Sequence, residues 1–500
     1  MKTKRTLSML LASVLALSAL SGCGREEEKG GGEIETSDLY QQVMARFDGK
    51  LEQGAVVKVL ENDTAVELGY VDQLIEAFNA AYKDKGISAE RMNIDQYSDL
   101  ATDGPYGYGP DVWYQANDIL MKYADNQHLL PLPIYDMECY EQIPQSAWNA
   151  YAKEMNGETF FCGIPLNVQS GMLFYIESKL PDNWESQWDV NSNGTPDFFE
   201  TYTALYAYSE ECRKGGQKTT YGYLDETVDT YFMSGYLMTY GAYIFGENGT
   251  DPTDIGLAAG EAYKGARMVQ QWAGEMNNTE VLDKTFSSAA YQYMADGVML
   301  CTVTTPDVKR MFIRSMVNTG KWTQEEAEAD LKMIPVPRLP ISADLTADQW
   351  QDTVTRMEEL TVETTMMGGI NGYGISAYTE CPNASLAFVE FATSYEQAVA
   401  RNQYLGVAPA REDAANAIAA QDATVGILFD RLDRGKISIM PAITEIGQLW
   451  TPAESFLIDL STDPFRADRG EPLLYDTDEK IQEGLERLVG QIRDAIETLA

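Results

Sequence analysis

The sequence predicts an α/β fold, and three observations support this. Extended segments alternate with amphipathic helices over short connections, as in a sheet covered by helices on both faces. Hydrophobic residues make up 44% and charged residues 23% of the chain, which is a globular balance. The length of 500 residues permits roughly two to four domain-sized units.

The alternation of elements begins after Gly54. Residues 55–60 form an apolar strand pattern, and residues 111–114 form another before a helix start at Asn117. The intervening helix has an apolar face made by Val71, Leu74, Ile75, Phe78 and Tyr82. Further along, strands are predicted at 163–175, 298–303, 333–337 and 368–376, and helices at 289–297, 384–395 and 480–499.

The carboxyl ends of the first strands carry polar side chains. Glu61, Asn62 and Asp63 follow the first strand, and Gln115 and Asp118 follow the strand at 111–114. Ligands of open α/β sheets bind at this edge, so these residues are candidates for ligand binding. The alternative for Glu61 or Asp118 is a helix cap or a surface acid.

Charge and histidine content exclude several functions. The chain has 77 acidic and 37 basic residues, a net charge of −40, and this acidity without a local basic face excludes nucleic-acid binding. The single histidine, His128, excludes chemistry that needs paired histidines. A Ser/His/Asp or Cys/His nucleophile would have to use His128, and no motif lies beside any candidate nucleophile.

The N-terminus predicts export and lipid anchoring. Lys2, Lys4 and Arg5 precede an apolar run at 7–20, which is typical of a signal peptide and too short to span a bilayer comfortably. The sequence Leu20-Ser-Gly-Cys matches a bacterial lipoprotein box, so cleavage is expected after residue 22, with a lipid on Cys23. A plain secretory signal is the alternative. Residues 23–53 are predicted to be a tether and lead-in.

Five cysteines follow Cys23: Cys139, Cys162, Cys212, Cys301 and Cys381. An odd count permits at most two disulfides, and the pair closest in sequence is Cys139 with Cys162. The scattered spacing has no CxxC metal or redox signature.

The order of several short motifs resembles one known family. These motifs are residues 111–113, 163–165 with 173–175, 295–299, 368–369 with 374–376, 408–411, and 440–441 ahead of Trp450. In this order they are similar to the extracellular solute-binding proteins, family 1, of ABC importers, the group that includes maltodextrin-binding proteins. The resemblance covers nearly the whole mature chain.

The resemblance implies a two-lobe fold of the periplasmic-binding-protein type II, with lobes that close on ligand about hinge crossings. The crossings are expected near 166–169, near 302–306 and after the helix at 384–395. Residues 54–166 and 304–396 would then form the first lobe, and residues 167–303 and 397–500 the second.

The resemblance also adds candidate ligand residues: Gln169 at the first crossing, and Glu226, Tyr231, Thr305, Asn371 and Trp450. Aromatic faces suit the C–H faces of sugars, whereas carboxylates and amides suit sugar hydroxyls. The alternative for Trp450 is a core residue. The chain departs from the maltodextrin pattern in having Gln115 in place of an aromatic residue and Glu454 in place of a cation.

A calcium-loop pattern occupies residues 189–200. Its oxygen ligands would be Asp189, Asn191, Asn193, the carbonyl of Thr195, Asp197 and a bidentate Glu200, with Gly194 at the sharp turn. No long helix is predicted before the loop, so it is expected to be an isolated structural Ca²⁺ site. The alternative is an Asx-rich turn that caps a helix.

The predicted function is therefore a non-enzymatic, monomeric, lipid-anchored receptor on the outer face of the cell membrane. It would deliver a carbohydrate, an oligosaccharide in particular, to an ABC permease. The alternatives are a surface glycoside hydrolase, which needs two carboxylates roughly 5–10 Å apart, and a binding protein for a peptide or polyamine.

Overall fold

A computed structural model describes residues 37–342, 347–420 and 422–498. The predicted signal peptide (1–22), Cys23 and the first part of the tether lie outside these residues. The described chain falls into two units, residues 37–42 and residues 43–498. Residues 38–42 of the first unit belong to the helix Asp38–Val43.

The strands of the second unit form two main sheets and two small antiparallel pairs. In chain order the strands are β1 Val56–Leu60, β2 Ser88–Arg91, β3 Val112–Ala116, β4 Ala152–Met155, β5 Glu158–Phe161, β6 Ile164–Ser170, β7 Met172–Ile176, β8 Tyr221–Tyr223, β9 Asp251–Ile255, β10 Met299–Thr304, β11 Leu331–Ile334, β12 Leu339–Pro340, β13 Thr361–Val362, β14 Met366–Ile375, β15 Ala408–Pro409 and β16 Ile437–Ile439.

The seven-stranded sheet has the order β15-β6-β14-β3-β1-β2, with β16 also paired to β14. Strand β1 runs parallel to β2 and β3, whereas β14 runs antiparallel to β3 and β6. The four-stranded sheet has the order β11-β7-β10-β8. We call the first sheet with its helices the first lobe and the second sheet with its helices the second lobe.

Helices cover both sheets. The right-handed α-helices of the second unit run over Asp63–Glu67, Tyr70–Tyr82, Leu100–Asp103, Asn117–Asp125, Gln145–Asn149, Trp184–Gln187, Asp197–Glu200, Tyr202–Lys214, Thr230–Thr239, Ala262–Met276, Phe286–Asp296, Lys309–Asn318, Gln324–Asp330, Trp350–Thr355, Met357–Leu360, Pro382–Ala392, Tyr395–Leu405, Glu412–Ala419, Ala423–Asp433, Trp450–Asp468 and Asp478–Glu497. Among the described residues, no helix combines the length and the apolar character that a membrane span requires.

The early elements lie where the sequence predicts them. Strand β3 is almost fully buried, β1 buries Val57, Val59 and Leu60, and the helix Tyr70–Tyr82 buries Val71, Leu74 and Phe78 as expected from their spacing. The helix after β3 begins at Asn117. The predicted α/β class is confirmed, and the sheet of the first lobe is mixed because β14 returns antiparallel through its centre.

The first crossing between the lobes lies at Gly171, just after the predicted 166–169, because β6 belongs to the first sheet and β7 to the second. A Cβ atom at Gly171 would lie 2.5 Å from Met366 Cε and 3.1 Å from Val303 Cγ1. Glycine therefore allows the chain to pass tightly between the two sheets.

The other two predicted crossings are wrong. Strand β11 pairs with β7 in the second sheet, so the chain stays in the second lobe well past residues 302–306 and returns only before β14. Strands β15 and β16 pair with the first sheet, so the chain does not leave the first lobe after the helix at 384–395. The predicted segments 304–396 and 397–500 therefore do not follow the strand pairing. Strands β15 and β16 are too short to give a periodicity in the sequence.

After β16 the chain completes the second lobe. The helices Trp450–Asp468 and Asp478–Glu497 both pack against the helix Ala262–Met276. The five cysteines from Cys139 onward are buried free thiols, so the suggested pair of Cys139 with Cys162 does not form a disulfide.

Candidate functional site

Asp118 lies at the edge of the first sheet where β3 ends. It is the second residue of the helix Asn117–Asp125. It is only 9% exposed, and its Oδ1 atom has no hydrogen-bond partner. Burial raises the pKa of Asp118 to about 6, although the N–H groups of Ile119 and of Asp118 itself favour the charged form. A buried carboxylate oxygen without a donor is available to a ligand.

A chain of hydrogen bonds lies at the first crossing. Asn371 Nδ2 on β14 donates to Gln169 Oε1 on β6 at 2.5 Å, and Gln169 Nε2 donates to Asp307 Oδ1 at 2.8 Å. Thr305 follows β10 and also hydrogen-bonds Asp307. Burial raises the pKa of Asp307, and the hydrogen bonds from Thr305 and Gln169 oppose that rise. The predicted residues Gln169, Thr305 and Asn371 therefore lie together around a carboxylate that the sequence did not single out.

Tyr231 brings an aromatic ring from the second lobe to the same place. Tyr231 is the second residue of the helix Thr230–Thr239. Asp229 caps this helix, because its Oδ1 atom accepts a hydrogen bond from the N–H of Phe232 at 2.9 Å. The Tyr231 hydroxyl lies 3.5 Å from the carbonyl oxygen of Gln169. Burial raises the pKa of Tyr231, and the charges of Asp307, Asp229 and Asp118 raise it further. Tyr231 thus lies within electrostatic range of acids from both lobes.

Tyr97 is a second aromatic side chain at this site, on the loop after β2. Burial by the surrounding protein raises the pKa of Tyr97 most, and the charges of Asp307, Asp63 and Asp118 raise it further. Yet 67% of Tyr97 is exposed to solvent. Tyr97 therefore lies near these three acids while most of its surface faces solvent.

These residues define the candidate site, a cleft between the lobes. Its members are Asp63, Tyr97 and Asp118 from the first lobe, Gln169, Thr305, Asp307 and Asn371 at the crossings, and Tyr231 from the second lobe. Aromatic rings beside carboxylate and amide groups can stack on a sugar ring and accept hydrogen bonds from its hydroxyls.

Glu61 is not part of this cleft, which corrects the prediction. Its carboxylate is buried and accepts from Arg401 Nη1 at 2.7 Å and Nη2 at 3.3 Å. The Tyr373 hydroxyl also donates to Glu61. Arg401 lies 4.2 Å from the ring centroid of Tyr114 and 5.0 Å from that of Tyr70. Both carboxylate oxygens are thus used inside the first lobe.

Asn62 and Gln115 also have structural contacts that the prediction did not assign. Asn62 Oδ1 accepts from the N–H of Ala65 at 2.7 Å and so caps the helix Asp63–Glu67. Gln115 is buried, and its Nε2 atom donates to the carbonyl oxygen of Gln96 at 2.6 Å. Gln115 therefore holds the loop that carries Tyr97, and a ligand role for Asn62 and Gln115 stays a prediction.

Glu226 and Trp450 both lie in the second lobe, and Glu226 comes five residues before Tyr231. Glu226 is buried, and burial followed by the charge of Asp229 raises its pKa to about 7. Lys284 lowers the pKa of Glu226 and forms an ion pair with Glu454 at 2.6 Å. Trp450 begins the helix that carries Glu454 and is half-buried against the core. A ligand role for these two residues stays a prediction.

The calcium-type loop connects the short helix Trp184–Gln187 to the helix Asp197–Glu200. Asp189 accepts from the N–H groups of Asn193 at 2.9 Å and Gly194 at 3.2 Å. The Glu200 carboxylate accepts from the amide groups of Asn191 at 2.8 Å and Asn193 at 2.5 Å. These contacts bring the oxygen-bearing side chains to one side of the loop.

Asp197 is fully buried behind this loop. Burial raises the pKa of Asp197 to about 6, and the charges of Glu200 and Asp189 add to the rise. The hydrogen bond from the N–H group of Val190 lowers this pKa and so opposes the rise. Within the described chain, no three His, Cys, Asp or Glu side chains converge closely enough to hold a metal ion. The residue types fit Ca²⁺. The amide groups of Asn191 and Asn193, however, donate hydrogen bonds to the Glu200 carboxylate, which is the group that would bind the cation.

Four residues that shape the site were not predicted from the sequence: Tyr97, Asp229, Asp307 and Arg401. Asp307 comes two residues after Thr305, and Asp229 caps the helix that carries Tyr231, so their positions next to predicted residues were a usable signal. Tyr97 lies in an irregular loop, and Arg401 lies on a helix 340 residues from its partner Glu61. Neither of these two has a local pattern that indicates its role.

Comparison with known proteins supports the two-lobe fold. The maltose-binding protein MalE of Listeria monocytogenes, solved with maltose, matches with a TM-score of 0.63 at 18% identity over 89% of this chain and 98% of that chain. The MalX protein of Streptococcus pneumoniae, solved with maltopentaose, matches with a TM-score of 0.66 at 17% identity over 89% of this chain and 100% of that chain. The type II two-lobe α/β architecture is therefore confirmed.

Comparison of sequences gives the family. The maltodextrin-binding protein MdxE of Bacillus subtilis is 22% identical over 92% of this chain and 93% of its own length. A maltooligosaccharide ABC transporter solute-binding lipoprotein of Streptococcus pneumoniae is 22% identical over 80% of this chain and 84% of its own length. The model of the bacterial extracellular solute-binding proteins matches residues 73–425. The chain belongs to the bacterial extracellular solute-binding protein family.

Proposed function

We propose that the protein captures a carbohydrate, an oligosaccharide in particular, in the cleft between its lobes. The observation that carries this proposal is the meeting of Tyr97, Asp118 and Tyr231 at one place, with a buried Asp118 oxygen that lacks a donor. Sugar hydroxyls would donate to this oxygen, and the aromatic rings would pack against sugar C–H faces. The names of the sequence relatives, which describe oligosaccharide binding, support this ligand class.

Delivery to an ABC permease is the second part of the proposal. One relative is named as a solute-binding lipoprotein of an ABC transporter, which supports this role and the lipid anchor predicted at Cys23. We propose that the protein acts as a monomer at the extracytoplasmic face of the cell membrane, held through that anchor alone. We expect no nucleic-acid partner, because the acidic chain would repel phosphate groups.

Thermal unfolding of the soluble chain, residues 37–500, against a panel of oligosaccharides tests the ligand class. A sugar present at about 100 times its Kd should stabilise the fold by about 2.7 kcal/mol. Asp118→Ala should abolish the shift, whereas the exposed Glu76→Gln on the same lobe should keep it. Stabilisation by peptides or polyamines but by no sugar would contradict the carbohydrate assignment.

The same incubation separates a receptor from a glycoside hydrolase. A binding protein leaves the oligosaccharide intact, and chromatography of the sugar after prolonged incubation should show a single unchanged species. Appearance of shorter sugars that depends on the protein would favour the hydrolase.

We also propose that residues 189–200 bind a structural Ca²⁺ ion. The oxygen-bearing side chains Asp189, Asn191, Asn193 and Glu200 already contact one another or the loop backbone on one side of the loop. Calcium would take the place of the amide-to-Glu200 hydrogen bonds, with the two amides turned to offer oxygen. The modest ligand charge suits the high calcium concentration outside cells.

Chelation tests the calcium proposal. Removing calcium from the wild-type protein should lower its melting temperature, and Glu200→Gln should abolish the difference between calcium and chelator. The exposed Glu185→Gln, just before the loop, serves as the matched control and should keep the difference. An identical wild-type melting curve in calcium and in chelator would refute the site.

A further inference from the structure

The cleft carries negative charge without a mobile positive partner. Asp118 has an oxygen with no donor although the residue is more than nine-tenths buried. Asp307 receives hydrogen bonds from Gln169 and Thr305, which are both neutral. Asp63 is exposed on the same side as Tyr97. We propose that the captured saccharide carries a protonated amine that pairs with Asp118, so that the ligand is an amino sugar or an amine-linked oligosaccharide.

This inference rests on the proposed function and narrows its ligand class. Two positive side chains near the cleft already form ion pairs with other acids. The charge of Arg401 lowers the pKa of Asp307. Its Nη1 and Nη2 atoms both donate hydrogen bonds to the Glu61 carboxylate, at 2.7 and 3.3 Å. Lys284, on the side of the second lobe near Asp229, is bound to Glu454 at 2.6 Å. The charges of these two side chains are therefore already paired with other acids.

An ammonium group matches this arrangement better than a hydroxyl does. It has three donors and a positive charge, and its hydrogen bonds to carboxylates are about twice as strong as those between neutral groups. Tyr97 and Tyr231 offer ring faces beside the acids, and aromatic faces attract cations. A hydroxyl could satisfy the oxygen of Asp118 but would leave its charge uncompensated after the cleft closes.

The net charge of the whole chain also favours a cationic ligand. With a net charge of −40, the protein attracts cationic ligands and repels anionic ones before contact. This general attraction does not select a site, so a test must separate it from pairing with Asp118. Glu76 provides that control, because it is an exposed acid on the helix Tyr70–Tyr82 of the same lobe and lies outside the cleft.

Calorimetric titration of the soluble chain with two matched pairs of sugars tests the proposal. The pairs are the glucosamine tetramer with its N-acetylated form, and acarbose, in which an amine links two rings, with maltotetraose. At about pH 6.5 most Asp118 is ionised. In at least one pair the amine-bearing sugar should bind tenfold or more tightly than its neutral counterpart. Asp118→Asn should remove that preference, and Glu76→Gln should keep it.

The outcomes separate this proposal from the function it rests on. If neutral sugars bind as tightly as their amine-bearing partners in both pairs, the amine is not recognised and the proposal is overturned, while carbohydrate capture stands. If the preference survives Asp118→Asn, the assignment of the pairing residue is overturned. If no carbohydrate binds at all and another solute class does, the proposed function itself fails.

Discussion

At the scale of single residues, the ion pair of Glu61 with Arg401 is an almost completely buried feature of the first lobe. Both side chains are almost completely buried, Tyr373 donates to the carboxylate, and the guanidinium lies between the rings of Tyr70 and Tyr114. Removing one partner of a buried pair leaves an uncompensated charge in the interior. This pair therefore holds the helix Tyr395–Leu405 to the end of β1 and fixes the wall behind the cleft.

Glu61→Gln is expected to lower the free energy of unfolding by about 3–5 kcal/mol, because it leaves the Arg401 charge buried and unpaired. The urea midpoint of the soluble chain measures this change. Glu67→Gln is the matched control, since Glu67 pairs with Arg314 at the surface and such pairs contribute about 0–1 kcal/mol. Equal effects of the two substitutions would show that Glu61 is not held as described.

Some residues at the site can be proposed from their position in the sequence, whereas the role of others depends on contacts with distant parts of the chain. Asp118, Gln169 and Tyr231 lie near strand ends or begin a helix, so topology and resemblance were enough to propose them as ligand residues. Glu61 also follows a strand, but its partner lies 340 residues away, and no local pattern shows that its carboxylate is already occupied. The distinction between a ligand residue and a buried structural one depends on tertiary contacts, which sequence position does not encode.

At the scale of elements, β14 organises the first lobe. It is buried along its whole length and pairs with β3, β6 and β16. Its register against β6 shifts between Asn371 and Gly372. This irregularity adjoins Asn371, whose amide contacts Gln169, so the bulge and the hydrogen bonds of the crossing are built into the same stretch of strand.

Gly372→Ala is expected to destabilise the protein by about 1–3 kcal/mol or more, because the new Cβ atom would lie 2.2 Å from the carbonyl oxygen of Ile164. Denaturant unfolding measures the loss. Gly447→Ala has nothing within 4 Å of its new Cβ atom and should change stability by no more than about 0.5 kcal/mol. A neutral Gly372→Ala would mean that the two strands pair differently.

The elements also show where prediction from sequence ends. Strands β1, β3, β6, β10 and β14 were expected because each has an apolar or glycine-rich run of useful length. Strands β15 and β16 have two and three residues and decide the lobe boundaries. Two or three residues have no detectable periodicity, so the return of the chain to the first lobe could be recognised only from hydrogen bonding between strands.

At the scale of the whole molecule, two sheets share one chain that crosses between them at Gly171, before β14 and after β16. Residues that contact one another at the cleft come from both lobes and from the crossings. A ligand that bridges Asp118 and Tyr231 would favour a conformation in which the lobes are close, because only that conformation gives both contacts. Capture by closure of the lobes is the central claim that follows from this arrangement.

Small-angle X-ray scattering of the soluble chain, with and without the oligosaccharide that gives the largest thermal stabilisation, tests this claim most directly. A compact chain of this size has a radius of gyration of about 23 Å, and saturation with the sugar should reduce the measured value in the wild-type protein and leave it unchanged in Asp118→Ala. An unchanged radius in a wild-type protein saturated with sugar, or the same contraction in Asp118→Ala, would contradict capture at this cleft.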